Sequence, residues 1–126
     1  MIHGIQRDRQ GKLWLGTFGK GLIVFSPEGK RMMRFDTSNG MESNAVNSLY
    51  IDSKGSLWAA TRAGIVYISD TKNPKLKIYN HKQGLIDENV RSIIEDEKGA
   101  IWLSTNGGIA QWKSDEKRLT NNSQIL

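Results

Sequence analysis

Three tryptophans, Trp14, Trp58 and Trp102, stand 44 residues apart along the chain. Each sits in the same frame. The first copy is Asp8-Arg9-Gln10-Gly11-Lys12-Leu13-Trp14-Leu15-Gly16-Thr17. The second is Asp52-Ser53-Lys54-Gly55-Ser56-Leu57-Trp58-Ala59-Ala60-Thr61, and the third is Asp96-Glu97-Lys98-Gly99-Ala100-Ile101-Trp102-Leu103-Ser104-Thr105. The aspartates, turn glycines and threonines keep the same spacing. A fixed period of this length means that one supersecondary unit recurs, so the chain folds as an array.

Within each period the pattern reads as four short strands. In the first unit, alternation predicts a strand over 2–7. Asp8 to Gly11 then form a turn, with the Asp side chain accepting backbone bonds and Gly supplying positive φ. Further strands follow over 12–16, 22–25 and 31–35. A glycine-containing loop at 17–21 and a Pro27 turn separate them. A longer connection, 36–44, leads onward. The second unit repeats the plan over 46–51, 56–60, 65–68 and 76–79. The third gives 90–95, 100–104 and 109–112. Arg118 and Leu119 only begin a fourth strand, because the tail beyond them is short and polar. No stretch has helical spacing of apolar residues over three turns.

Four short antiparallel strands per 44-residue unit predict an all-β fold, a β-propeller segment of three four-stranded blades. The blades are expected at 1–44, 45–88 and 89–126, the last with an incomplete outer strand. Tetratricopeptide, ankyrin and HEAT units are helical, and leucine-rich repeats are shorter. A WD repeat would show Trp-Asp, which this sequence lacks.

The bulk properties exclude several classes. The 126 residues contain no cysteine, so disulfides and thiolate metal sites are absent. No apolar run exceeds four residues, as in Leu22 to Phe25, too short to span a membrane. No basic segment leading into an apolar stretch follows Met1, so no signal peptide is visible. The net charge of +5 comes from basic residues interleaved with acids. The densest group, Lys30, Arg31 and Arg34, flanks a turn. No basic stripe marks a nucleic-acid or membrane surface.

The motif Asn-x-Val, then Asp-x-x-Gly-x-Ile/Leu-Trp-x-x-Thr, then Gly-Ile/Leu resembles the two-component regulator propeller repeat. Asn44, Val46, Asp52, Gly55, Leu57, Trp58, Thr61, Gly64 and Ile65 carry it in the second unit. Val90, Asp96, Gly99, Ile101, Trp102, Thr105, Gly108 and Ile109 carry it in the third. Gly40-Met41 and Gly84-Leu85 match between units. The resemblance covers nearly the whole chain. It implies a piece of the extracytoplasmic, periplasmic sensor of a hybrid two-component histidine kinase and response regulator. Such sensors detect a carbohydrate, commonly an oligosaccharide from polysaccharide breakdown. They imply no catalysis by this segment and no cofactor. The sandwich, membrane helix, kinase and regulator of such proteins lie outside this sequence.

The repeated Asp8, Gly11, Trp14, Asp52, Gly55, Trp58, Asp96, Gly99 and Trp102 are expected to be frame. The aspartates and glycines shape hairpins, and the tryptophans pack between blades. Successive aspartates would stand too far apart around a ring to share an ion, so no metal site is expected. A ligand site belongs where the copies differ. The loops between the second and third strands of each unit, the b–c loops, offer Phe18, Lys20, Arg62 and Asn106. The connections 36–44 and 81–89 emerge on the same face. Near the pore mouth, the first strands present His3, Asn47 and Arg91. Two alternatives stand beside ligand sensing. One is a structural or protein-interaction propeller. The other is an enzyme like virginiamycin B lyase, whose repeats share Gly-x-Ile/Leu-Trp. A lyase needs a histidine and acidic metal ligands near the pore, where only His3 is placed.

Three blades do not close a ring, since propellers use about four to eight. The two ends are expected to be covered by a second copy, head to tail, giving six blades, or by the rest of a parent protein. The purified chain is therefore expected not to be a monomer.

Overall fold

A computed structural model describes residues 1–113 and 118–122. Among the described residues twelve strands form three four-stranded antiparallel sheets in sequence order. Blade 1 holds β1 (Ile2–Arg7), β2 (Leu13–Thr17), β3 (Leu22–Phe25) and β4 (Arg31–Phe35). Blade 2 holds β5 (Val46–Ile51), β6 (Leu57–Thr61), β7 (Gly64–Ile68) and β8 (Lys77–Tyr79). Blade 3 holds β9 (Val90–Glu95), β10 (Ile101–Thr105), β11 (Gly108–Lys113) and β12 (Arg118–Asn122). Among the described residues a single 3-10 turn, His81–Gln83, lies in the connection between blades 2 and 3. Among the described residues no helix is long and apolar enough to cross a membrane.

The third blade corrects one expectation. Its outer strand is complete: β12 pairs with β11 at five positions, from Ile109 opposite Asn122 to Lys113 opposite Arg118. Backbone pairing needs no apolar side chains, so a polar strand on an outer edge escapes a pattern search.

The repeated residues build each hairpin in the same way. Gly11, Gly55 and Gly99 have φ of 83°, 85° and 82° and close the turn onto the Asp carbonyl. The Asp side chain then does more than cap. Asp52 Oδ1 accepts from the backbone N–H of Lys54 and Ser56, both at 2.9 Å. Its Oδ2 accepts from Trp58 Nε1 at 2.8 Å. Asp8 and Asp96 hold Trp14 and Trp102 identically, each at 2.9 Å. The repeated threonine fixes the next loop. Thr17, Thr61 and Thr105 each donate through Oγ1 to a glycine carbonyl at 2.8 Å.

The core lies between blades. Trp14, Leu22 and Val24 pack with Val46, Leu49, Leu57, Ala59, Val66 and Ile68 across the joint of blades 1 and 2. Trp58, Ala60, Ile65 and Tyr79 pack with Val90, Ile93, Ile101, Leu103 and Ala110 across the next. Gly16 permits the first joint, because a Cβ there would stand 2.7 Å from Val46 Cγ1. Trp14 and Trp58 are buried, whereas Trp102, at the open end of blade 3, is half-buried. The open faces also expose Ile2 and Ile5 on blade 1 and Ile94 on blade 3, at 61%, 56% and 62%.

Candidate functional site

The innermost strands β1, β5 and β9 lie side by side. At one end of them the b–c loops meet the connections between blades. Gly19 and Gly21 N–H donate to the Asn44 carbonyl at 2.9 and 3.0 Å. Arg62 N–H donates to the Ala45 carbonyl at 3.2 Å, and Gly64 N–H to that of Glu88 at 2.6 Å. Loops and connections therefore form one surface, the mouth of the arc. The Asp-Gly hairpins form the opposite end.

Three of the variable residues converge on this mouth. The Arg62 guanidinium lies over the Phe18 ring, 4.8 Å from its centroid. The His3 ring approaches the same phenyl at 5.3 Å, tilted by 40°. Phe18 comes from the first b–c loop and is held by an isolated bridge to Ala45 and by a bond to the Met1 carbonyl. Arg62 comes from the second b–c loop. The cluster thus bridges blades 1 and 2. Phe18 is 40% exposed, although burial would lower its free energy. A guanidinium stacked on a ring is pre-oriented and keeps its in-plane donors free for a ligand.

The other candidates fall elsewhere. Asn47 is engaged within the joint of blades 2 and 3, where Nδ2 donates to the Val90 carbonyl at 2.7 Å and to Asn89 Oδ1 at 3.1 Å. Lys20, Asn106 and Arg91 are exposed. No side-chain hydrogen bond or ring contact ties them to the cluster. The connections add an acidic half that sequence spacing did not single out. Glu88 accepts from His81 through both the ring Nδ1 and the backbone N–H. The His81 bond is the main cause holding the Glu88 carboxyl below its usual range. Asn80 bridges to Glu42 at 3.1 Å. Among the described residues no three His, Cys, Asp or Glu side chains gather in a way that could hold a metal ion.

Comparison with known proteins places this geometry. The model of the family "Two component regulator propeller" matches residues 1–19, 40–63 and 84–107. The extracellular domain of the hybrid two-component system BT3049 from B. thetaiotaomicron is 34% identical, with a TM-score of 0.92 over 96% of this chain. That of the one-component system BT4673 from the same organism is 19% identical, with a TM-score of 0.80 over 97%. The chain spans only 16% and 18% of those two chains. A catalytically inactive virginiamycin B lyase from Staphylococcus aureus, solved with quinupristin, shares the fold at 21% identity and a TM-score of 0.75. The match covers 99% of this chain and 42% of the lyase. No curated protein sequence matches. The family model covers just over half of the residues, at the hairpins, tryptophans and interblade glycines described above, and the chain belongs to the two-component regulator propeller family.

Proposed function

We propose that this chain serves in the extracytoplasmic part of a two-component sensor, where its mouth face recognises a carbohydrate without catalysis. The observation that carries the reading is the His3–Phe18–Arg62 cluster. It assembles from positions where the repeats differ, and it leaves an aromatic ring and a cation at the surface. An aromatic face packs against the C–H face of a sugar, while guanidinium donors take its hydroxyls or a carboxylate. Because the cluster spans two blades, an occupant would bias their relative packing, and a histidine kinase elsewhere in the parent protein could read that bias.

The lyase reading is the weaker one. His3 packs on Phe18, away from any acidic cluster able to bind metal among the described residues. The likeness to the lyase supports the fold alone.

The test is a titration of the labelled chain with neutral and acidic oligosaccharides, followed by amide chemical shifts. Shifts are expected at Phe18, Arg62 and their loop neighbours. Phe18→Ala and Arg62→Ala are each expected to weaken binding about tenfold or more with little change in melting temperature. Binding that survives both substitutions would remove the cluster from the site. A panel that shifts nothing would favour a structural or protein-interaction role.

A further inference from the structure

The hairpin end of the joint between blades 1 and 2, opposite the mouth, carries a cavity of about 320 Å³. Its lining comes from two blades packed against each other: the hairpin of each blade, and the turn 69–72 of blade 2. Three cations line it, Arg9, Lys54 and Lys72, against one acid, Asp70. Among the described residues none of the three cations forms an ion pair with a carboxylate. The cavity therefore holds an excess of positive charge that the protein itself does not neutralise.

The neighbouring contacts fix these groups in place. The Arg9 side chain lies against bare Gly55, where a Cβ would stand 2.8 Å from its Nε. Arg9 Nη2 donates to the Ser53 carbonyl at 2.6 Å, which orients the guanidinium and leaves its other N–H groups without a partner among the described residues. Asp70 Oδ1 accepts from the Lys72 N–H at 2.9 Å and shapes the turn that carries Lys72. Buried Thr71 locks that turn to blade 1, its carbonyl accepting from Lys12 Nζ and its Oγ1 donating to Gln10 Oε1.

The joint of blades 2 and 3 differs at the same place. There Ser53 is the counterpart of Arg9, and Glu95 supplies it with a carboxylate: Oε1 accepts from Ser53 N–H at 2.9 Å and Oε2 from Ser53 Oγ at 2.6 Å. One unit back, Ile51 stands in the position of Glu95. The joint of blades 1 and 2 thus has a guanidinium where the other has a hydroxyl, and no carboxylate of its own. The space at the hairpin end of the other joint is only about 30 Å³.

We infer that the cavity between blades 1 and 2 binds a small oxyanion, a carboxylate or a sulfate or phosphate group. The guanidinium and two ammonium groups supply charge-assisted donors. The free oxygen of Asp70 accepts a hydroxyl, which favours an anion that also carries hydroxyl groups, as a sugar acid does. The volume is at the low end of the about 300–1,000 Å³ usual for small-ligand sites, room for one sugar-sized molecule. The site lies on the face opposite His3, Phe18 and Arg62 and does not rest on what the mouth binds.

Amide chemical shifts of the chain, titrated with glucuronate, inorganic sulfate, inorganic phosphate and neutral glucose at matched ionic strength, test the inference. Saturable shifts are expected at Gly55, Thr71 and Lys72 with the three anions and not with glucose. Glucuronate is expected to bind tightest; tighter sulfate or phosphate would assign the same site to a tetrahedral oxyanion. Arg9→Gln and Lys72→Gln are each expected to weaken binding about fivefold or more, whereas Lys30→Gln, which removes the same charge from another turn, is expected to leave it unchanged. Arg9 and Lys72 are both exposed, and Lys72→Gln spares the Arg9–Ser53 bond, so the loss is readable in a folded protein checked by circular dichroism. Shifts that sodium chloride reproduces, or binding that survives both substitutions, would overturn the inference.

Discussion

Trp58 and Asp52 are joined by a 2.8 Å bond from the indole Nε1 to the carboxylate Oδ2. The same carboxylate caps the hairpin through two backbone N–H groups. One side chain therefore sets both the turn and the tilt of the ring that fills the next joint. Asp52→Ala removes the acceptor of three bonds, each worth about 1 kcal/mol net, and is expected to cost ~2–4 kcal/mol. Asp52→Asn keeps one carbonyl acceptor and is expected to cost about half as much. Urea unfolding followed by tryptophan fluorescence measures both. Equal stability of the Ala and Asn variants would mean that the one carbonyl acceptor Asn retains contributes nothing.

The three tryptophans predict unequal losses from equal sequence contexts. Trp58 is 2% exposed and touches Tyr67, Tyr79 and Trp112, with centroids 4.4 to 6.5 Å away. Its replacement by Ala is expected to cost ~3–5 kcal/mol through lost burial and a cavity. Trp102 faces an open groove in the single chain, so Trp102→Ala is expected to cost clearly less at dilutions where copies do not associate. A chevron or equilibrium titration that ranked Trp102 above Trp58 would contradict the burial order.

How far the sequence reveals the protein follows from what repeats. The Asp-Gly turn, the tryptophan and the threonine recur three times, so the blades and hairpins are legible from spacing, and the family from the resemblance of the repeated motif. The Asp–Trp bond joins residues six apart, and its meaning emerges only when the hairpin folds them together. The outer strand of blade 3 was hidden because Arg118, Thr120 and Asn121 pair through backbone, which leaves no apolar alternation. At the mouth, variation between copies marks out a set of residues but does not sort its members. His3, Phe18 and Arg62 meet because two b–c loops lean together. Asn47 varies for a different reason, as a strut to Val90. Nothing in one unit's sequence separates those cases, since the partner lies in the next unit.

Asn47 and Phe18 therefore predict opposite phenotypes. Asn47→Ala strands the Val90 carbonyl and the Asn89 amide, and is expected to cost ~1–2 kcal/mol with mouth binding retained in the folded protein. Phe18→Ala is expected to do the reverse. Thermal melts alongside oligosaccharide titrations would reveal the split, and matching behaviour of the two variants would erase the distinction between strut and site.

Acid should loosen the joint of blades 2 and 3. Glu95 accepts from Ser53 Oγ and N–H and from the Tyr50 hydroxyl, and Ser53 Oγ is the first cause of its lowered pKa. A carboxyl depressed by folding stabilises above its unfolded pKa. That contribution fades as pH falls through the folded value, below the ordinary 4.5. Glu95→Gln is expected to lower stability at neutral pH and to flatten this part of the acid slope. Since the group is partly exposed, the effect should be modest. A slope unchanged by the substitution would place the acid sensitivity elsewhere, for example at Asp36 or Asp96, whose pKa values are also lowered.

Lys12 breaks the repeat, standing where the other units carry Ser56 and Ala100, and its role is structural. Its Nζ is buried against Trp14, 3.6 Å from Asp8 Oδ2, and donates to the Thr71 carbonyl of blade 2 at 2.5 Å. Thr71 Oγ1 returns a bond to Gln10 at 3.0 Å, so the hairpin of blade 1 and the turn 69–72 of blade 2 clasp each other. Lys12→Met keeps the aliphatic stem but leaves Thr71 O without its donor, and is expected to cost ~1–3 kcal/mol. Lys30→Met, on an exposed turn, is expected to stay within ~0.5 kcal/mol. Hydrogen exchange locates the effect: amides at 69–72 should lose protection in Lys12→Met before those of β10 do. Uniform loss of protection across all three blades would show that Lys12 supports global stability rather than this one clasp.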